Sequence, residues 1–290
     1  MSAKILDGNW AAAEMRRDLR GRVDALTHDG VRPRLSMIRV GEDPGSVVYV
    51  RNKVKASAEV GIESEVLVLP EEASGEQIAA AIDQRVADGS VHGILLQLPL
   101  PGRRDPQSLV ERIDPAKDVD GFHPVNLGRL CLGTPGFIPC TPLGIVELLR
   151  RHGITLSGRH VAIVGRSTTV GRPLANLLSL KVGGYDATVS IVHTGSHDPW
   201  ELTRQADIVV VAAGRPRLVD ASWIRHGAVV VDVGIHRGED GRLTGDVESG
   251  SVGEVAGWLS PVPGGVGPMT VACLLANTVQ AAEEQSRRGK

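Results

Sequence analysis

Apolar positions along this chain alternate between two periods. In AAAEMRRDLRGRVDAL, the residues Met15, Leu19, Val23 and Leu26 recur at helical spacing. RLSMIRV is a short apolar run that reads as a buried strand, closed by the turn GEDPGS. Ser46 to Val60 returns to the helical period, with Val50, Val54 and Ala58 as the predicted core stripe. IESEVLVL reads as a second strand. SGEQIAAAIDQRVADG reads as a helix that opens with Ser74 and Gln77 in capping-box spacing and closes at Gly89. VHGILLQ is a third strand, halted by LPLP because proline has no N–H for a ladder. Strands separated by helices predict parallel pairing in an α/β layer.

Both periods then disappear. DPAKDVDGFHPVNLGRLCLGTPGFIPCTP is rich in glycine and proline, and a long irregular segment inside a compact chain is usually functional or a connector. A helix over TPLGIVELLRRHGI bridges to a second unit. There HVAIVG, ATVSIVH, DIVVVAAG and AVVVDVG read as strands, and GRPLANLLSL, PWELTRQA and ASWIRHG as the helices between them. That alternation is the pattern of a Rossmann sheet. A long amphipathic helix over GPMTVACLLANTVQAAEEQSRR follows, with Val271, Leu274, Leu275 and Val279 as its expected buried face and the first domain as its expected partner.

Composition narrows the class. A chain of 290 residues has room for two domains, and 42% hydrophobic residues support real cores. The net charge of −2 argues against a general affinity for nucleic acid or anionic membrane. Cys131, Cys140 and Cys273 are scattered without metal-ligand spacing, which reads as a reduced, cytoplasmic protein with no structural metal. Asp7 and Glu14 interrupt the amino-terminal segment where a signal peptide would be apolar, and runs such as IVVVAA are too short to span a bilayer.

The candidate chemistry falls in two places. VGRSTTVGRP joins the first Rossmann strand to its helix, where such sheets hold pyrophosphate on backbone N–H groups. Its glycines, Gly165 and Gly171, depart from G-x-G-x-x-G, and Ser167 stands where a second glycine would be. The second Rossmann strand ends in SIVHTGS, with no carboxylate before Asp198 to hold a ribose diol. Arg166, His193, Thr194 and Ser196 are all donors, and an arginine there suits a phosphate, so NADP is expected over NAD. A solvated loop arginine is the other reading of Arg166.

In the first unit, Ser46, Tyr49 and Lys53 share one helix face, Gln97 ends a buried strand, and Asp118 and Asp120 of KDVDG open the connector. Polar groups at strand ends and on loops beside a sheet are typical of active sites. Each also has a plain structural reading: a solvated lysine, a glutamine that satisfies backbone, an aspartate in a turn.

YVRNK, LLQLPLP, KDVDGFHPVNLGRL, PCTPLGIVELL, VGRSTTVGRPLANLL, DVGI and PVPGGVGPMT fall in order across nearly the whole chain. Together they resemble the bifunctional methylenetetrahydrofolate dehydrogenase/methenyltetrahydrofolate cyclohydrolase family. The resemblance implies a homodimer whose subunit has an N-terminal α/β/α catalytic domain (1–143 plus 268–290) and a Rossmann NADP-binding domain (144–267), with a cleft between them. It implies oxidation of 5,10-methylenetetrahydrofolate by NADP, then hydrolysis of the methenyl cation to 10-formyltetrahydrofolate. Lys53 then matches the catalytic lysine, Gln97 the residue that orients it, Tyr49 the ring beside the folate benzoyl group, and Asp120 the carboxylate on the pterin. Leu98, Pro263, Gly264 and Gly265 match folate contacts, and Thr141, Gly165, Arg166, Ser167, Thr194, Ser196 and Ile235 match cofactor contacts.

Two features depart from the family pattern. HTGS stands where a serine and a basic residue are common, and GFHPVN introduces His123 beside the acidic pair, either as a pterin contact or as a loop histidine. Two other classes compete. One is a two-domain NADP oxidoreductase acting on a shikimate-like hydroxy acid, which has no evident need for KDVDG or GGVGPMT. The other is a non-catalytic NADP-binding scaffold, which has no reason to keep a lysine beside a glutamine.

Overall fold

The computed structural model describes residues 2–102, 104–238 and 241–288. From the amino end the chain forms β1 (Lys4–Ile5), α1 (Gly8–His28), β2 (Arg34–Val40), α2 (Pro44–Val60), β3 (Glu63–Leu69), α3 (Gly75–Ala87) and β4 (Gly93–Leu96). It continues with α4 (Pro106–Val110), α5 (Pro124–Cys131), α6 (Cys140–Arg151), β5 (His160–Val164), α7 (Gly171–Leu178), β6 (Thr188–Val192), α8 (Pro199–Arg204) and β7 (Ile208–Val211). A 3-10 turn (Ala221–Trp223) precedes β8 (Val229–Asp232), β9 (His236–Arg237), β10 (Leu243–Thr244), α9 (Ser249–Val255), β11 (Trp258–Leu259) and α10 (Val266–Arg288).

The chain divides into two compact units. One comprises Ala13–Cys140 with the residues from Val271 onward; the other comprises the residues through Ala12 with Thr141–Thr270. Both are α/β, as the alternating periods predict. By contacts, residues 2–12 cluster with Thr141–Thr270. The reason is pairing: β1 lies parallel to β11, with Lys4 opposite Trp258 and Ile5 opposite Leu259.

The catalytic unit is built on a parallel sheet of order β3-β2-β4. Its core gathers Ile38, Ile78, Ile82, Ile94 and Leu96. The capping box of α3 forms as read, with Ser74 and Gln77 exchanging bonds. In α2 the buried face is Ser46, Val50, Ala56, Ser57 and Val60, and Ala58 of the expected stripe is exposed. The helix is therefore rotated so that its semi-polar face, including part-buried Lys53, turns inward. The connector, read as irregular throughout, contains α5. Its first turn is marked only by Pro124 after the capping residue His123.

The carboxyl-terminal helix does return to the catalytic unit. Arg22 makes a two-pronged bond to Glu283, and Gln285 donates to His92 O. Leu274, Leu275 and Val279 are buried as expected, while Val271 is only part-buried.

The Rossmann unit carries an all-parallel sheet of order β1-β11-β8-β7-β5-β6. β5 lies between β6 and β7, so the strand order reverses at its carboxyl end, the point where open α/β sheets bind ligands. Only Ala221–Trp223 of the expected ASWIRHG helix is helical, as a single 3-10 turn. Among the described residues, no helix is long and apolar enough to cross a membrane.

Ile38 sits fully buried on the central strand β2. Ile38→Ala is expected to lower unfolding free energy by about 2–5 kcal/mol, from lost burial plus the cavity left behind. Denaturant titration checks this, and a loss below about 1 kcal/mol would contradict the assigned core.

Candidate functional site

In the catalytic unit the site grows out of β4. Beyond Leu96 the chain stays beside β2, with Gln97 N donating to Ile38 O at 2.8 Å. The connector meets the other side of β4. Ile94 N donates to Lys117 O at 2.7 Å, and Ile94 pairs with Asp118 in a parallel bridge. Two residues further along both chains, Asp120 is carried toward the end of β4 and Gln97. On α2, Tyr49 and Lys53 are one turn apart on the same side.

Lys53 Nζ donates to Gln97 Oε1 at 2.9 Å. Gln97 Nε2 in turn donates to Leu98 O at 2.6 Å, which fixes which end of the amide faces the lysine. Burial pushes Lys53 below the ordinary lysine range, opposed chiefly by the nearby Asp120 carboxylate. Burial pushes Asp120 above the usual carboxylate range, opposed by Lys53 and reinforced by Asp118. Tyr49 stays 42% exposed, with its phenol raised by partial burial. The structure thus brings Tyr49, Lys53, Gln97, Leu98 and Asp120 into one unit, coupling Lys53 to Asp120 through charge and to Gln97 through a hydrogen bond.

The acidic pair separates by role. Asp118 is buried and fully engaged: it accepts from the N–H groups of Gly121, Phe122 and His123 and from Asn126 Nδ2. It is the turn-former of the connector, and Asp120 is the member of the pair placed beside Lys53. Gly121 is obligatory here. Its φ is +81°, and a Cβ would lie 2.6 Å from Pro139 N. Lys117 is buried, with its ammonium on Val86 O and Asp88 O at the end of α3. His123 is a capping residue: Nδ1 accepts from Val125 N at 3.1 Å, and Nε2 faces Glu111 O at 3.3 Å. That resolves the histidine of GFHPVN as a loop-forming group.

Two residues of the site escaped the sequence reading. Cys140 is buried beside Lys53 and Asp120; its thiol donates to Val119 O, and burial pushes it well above the ordinary thiol range. Asn277 of α10 is buried and donates to Val119 O at 2.8 Å and Ile138 O at 3.0 Å, pinning both sides of the Asp120 loop. An asparagine on the apolar face of LLANTVQAA was the available signal.

The remaining candidates lie in the Rossmann unit. Gly165 follows β5 with φ +129°, and its N–H donates to Val192 O at 2.8 Å. A Cβ at Gly165 would run into Ala212 O, and one at Gly171 into Gly165 O. This is a turn pressed so close to its neighbours that only glycine fits, as a dinucleotide cradle requires. Ser167 Oγ accepts from Val170 N (3.1 Å) and Gly171 N (3.4 Å), capping α7 where a second glycine was missing. Arg166 is exposed at this turn. In HTGS, Ser196 Oγ accepts from His193 N and His193 Nδ1 accepts from Gly195 N, so the turn is closed internally and Thr194 stands exposed.

Ile235 is exposed just past β8 and approaches Gly267, next to the Pro263–Gly265 loop. That loop is tied down by Gly8 N donating to Gly264 O at 2.8 Å. Thr141 Oγ1 meets Thr270 Oγ1 at 3.3 Å. The residues present therefore fit a dinucleotide on backbone and donor geometry, with no acidic group at the end of β6.

Asp120→Asn would remove a charge that holds the Lys53 proton on. Acylation of the Lys53 amine, followed by peptide mass spectrometry across pH, should show a midpoint below the ordinary lysine range in the parent and lower still in the variant. An upward shift in the variant would contradict the arrangement.

Comparison with known proteins identifies the family. Residues 6–120 match the family description "Tetrahydrofolate dehydrogenase/cyclohydrolase, catalytic domain", and residues 139–286 match its NAD(P)-binding domain. The bifunctional protein FolD of Halalkalibacterium halodurans is 49% identical over 284 residues, covering 98% of this chain and 100% of its own. The crystal structure of the bifunctional FolD enzyme from Campylobacter jejuni superposes with a TM-score of 0.93 at 43% identity, covering 98% of this chain and 99% of its own. The Trypanosoma brucei FolD structure, solved with NADP cofactor and inhibitor, gives 0.92 at 37% identity and 99% coverage of both. This chain belongs to the tetrahydrofolate dehydrogenase/cyclohydrolase family.

Proposed function

We propose that this chain oxidises 5,10-methylenetetrahydrofolate with NADP and hydrolyses the resulting 5,10-methenyltetrahydrofolate to 10-formyltetrahydrofolate. The observation that carries the reading is the Lys53–Gln97 bond of 2.9 Å on a part-buried lysine whose proton is loosened by desolvation. Bound NADP supplies the hydride acceptor for the first activity. Gly165, Arg166, Ser167, Thr194 and Ser196 would hold it, with Thr141 and Ile235 as further contacts. Folate lies against Tyr49 and Leu98, with Pro263, Gly264 and Gly265 as a backbone contact and Asp120 on the pterin N–H edge.

Hydride loss needs orientation more than acid or base, so the task of these side chains in that step is positioning. Hydrolysis needs proton handling. Water must lose a proton as it attacks the methenyl carbon, and the departing nitrogen must gain one. Lys53 does both. Near a cationic substrate its ammonium is further disfavoured, so it takes the water proton and returns it to the nitrogen. Gln97 accepts from the lysine without neutralising it and so aims it. The same reading makes the protein a cytoplasmic homodimer.

Lys53→Met is expected to lower hydrolysis of methenyltetrahydrofolate by roughly 10²-fold or more, the usual worth of a positioned acid–base group, with folate binding kept. Undiminished hydrolysis would reject the role. Mixing the protein with methylenetetrahydrofolate and either dinucleotide, and following methenyl absorbance, should give faster turnover with NADP than with NAD.

A further inference from the structure

Two buried carboxylates of the Rossmann unit take no part in the chemistry above. Asp246, fully buried just past β10, uses Oδ2 to accept from Ala213 N at 2.6 Å and Gly214 N at 2.9 Å. These residues open the loop after β7. Its Oδ1 accepts from His236 Nε2 at 2.6 Å, and His236, the first residue of β9, follows Ile235 of the loop after β8. Asp232, at the end of β8, accepts from the N–H groups of Gly234, Asp246 and Val247. Arg217 N donates to Gly245 O and Val219 N to Asp246 O, tying the far side of the β7 loop to the same segment. Packing here leaves no slack: a Cβ at Gly234 would enter the Asp246 carboxylate, and one at Gly245 the Asp232 carboxylate.

A carboxylate buried completely is costly unless every lone pair is engaged, and apolar packing serves a core at least as well. Asp246 instead takes one loop on each oxygen, at the carboxyl edge of the sheet where ligands of open α/β folds lie. We propose that Asp246, steadied by His236, is a positioning residue that fixes the β7 and β8 loops against the dinucleotide without touching it. This rests on the proposed dinucleotide site. It predicts that the brace serves the NADP-dependent reaction and is dispensable for hydrolysis, which consumes no dinucleotide.

The test pairs NADP titration by calorimetry with both activities. Asp246→Ala is expected to weaken NADP binding by about tenfold or more, a loss on the scale of one or two hydrogen bonds to a charged group, with dinucleotide-free cyclohydrolase activity kept. His236→Leu, at a side chain only 25% exposed, should act in the same direction. His236→Gln, which retains a donor for Asp246, should recover most of the loss. Unchanged NADP affinity in Asp246→Ala would overturn the proposal. So would parallel loss of both activities with a lowered unfolding midpoint, since that marks a purely structural carboxylate. Absence of NADP binding by the parent chain would reject the dinucleotide site itself, and the brace with it.

Discussion

The candidate chemistry depends on one buried amine given a neutral partner. Removing an ammonium from water weakens its hold on the proton, whereas pairing it with a carboxylate restores that hold. Gln97 resolves the conflict. Its amide oxygen orients Lys53 at 2.9 Å and brings no formal charge, while its own N–H is spent on Leu98 O. Asp120 acts through space on the same lysine and is itself raised by burial. Burial thus shifts both groups toward their neutral forms, and each opposes that shift in the other.

That balance needs Asp120 held near Lys53 without a tight ion pair, and the connector does this through its other charges. Asp118 gathers three backbone N–H groups and Asn126 into a closed turn. Lys117 anchors the approach on the end of α3. Asn277, from the far end of the chain, holds Val119 and Ile138 on either side. Of the charged residues in KDVDG, two build the loop and one is presented by it.

The Rossmann unit uses the same economy with different means. Its first turn is shaped by glycines that no side chain could replace, and its later loops by two carboxylates bonded to backbone. Burial, with Asp246 as a like-charged neighbour, pushes Asp232 up to about 6 despite three N–H donors. The carboxyl edge of this sheet is therefore held by contacts that leave its exposed donors, Arg166 and Thr194, free of structural duty.

Sequence alone determined the alternation of strands and helices, the capping box at Ser74, the two α/β units and the candidates Tyr49, Lys53, Gln97 and Asp120. These follow from periodicity, turn chemistry and motifs that survive without knowing what packs where. Tertiary structure decided the rest. β1 joined the Rossmann sheet because a two-residue strand has no period and exists only through its partner β11. α2 turned Ala58 outward because the face a helix buries is chosen by the sheet beneath it. Cys140 and Asn277 took their roles from contacts up to 158 positions apart along the chain, which local patterns do not encode, whereas Asp118 and His123 bond within twelve positions, as a turn aspartate and a loop histidine do.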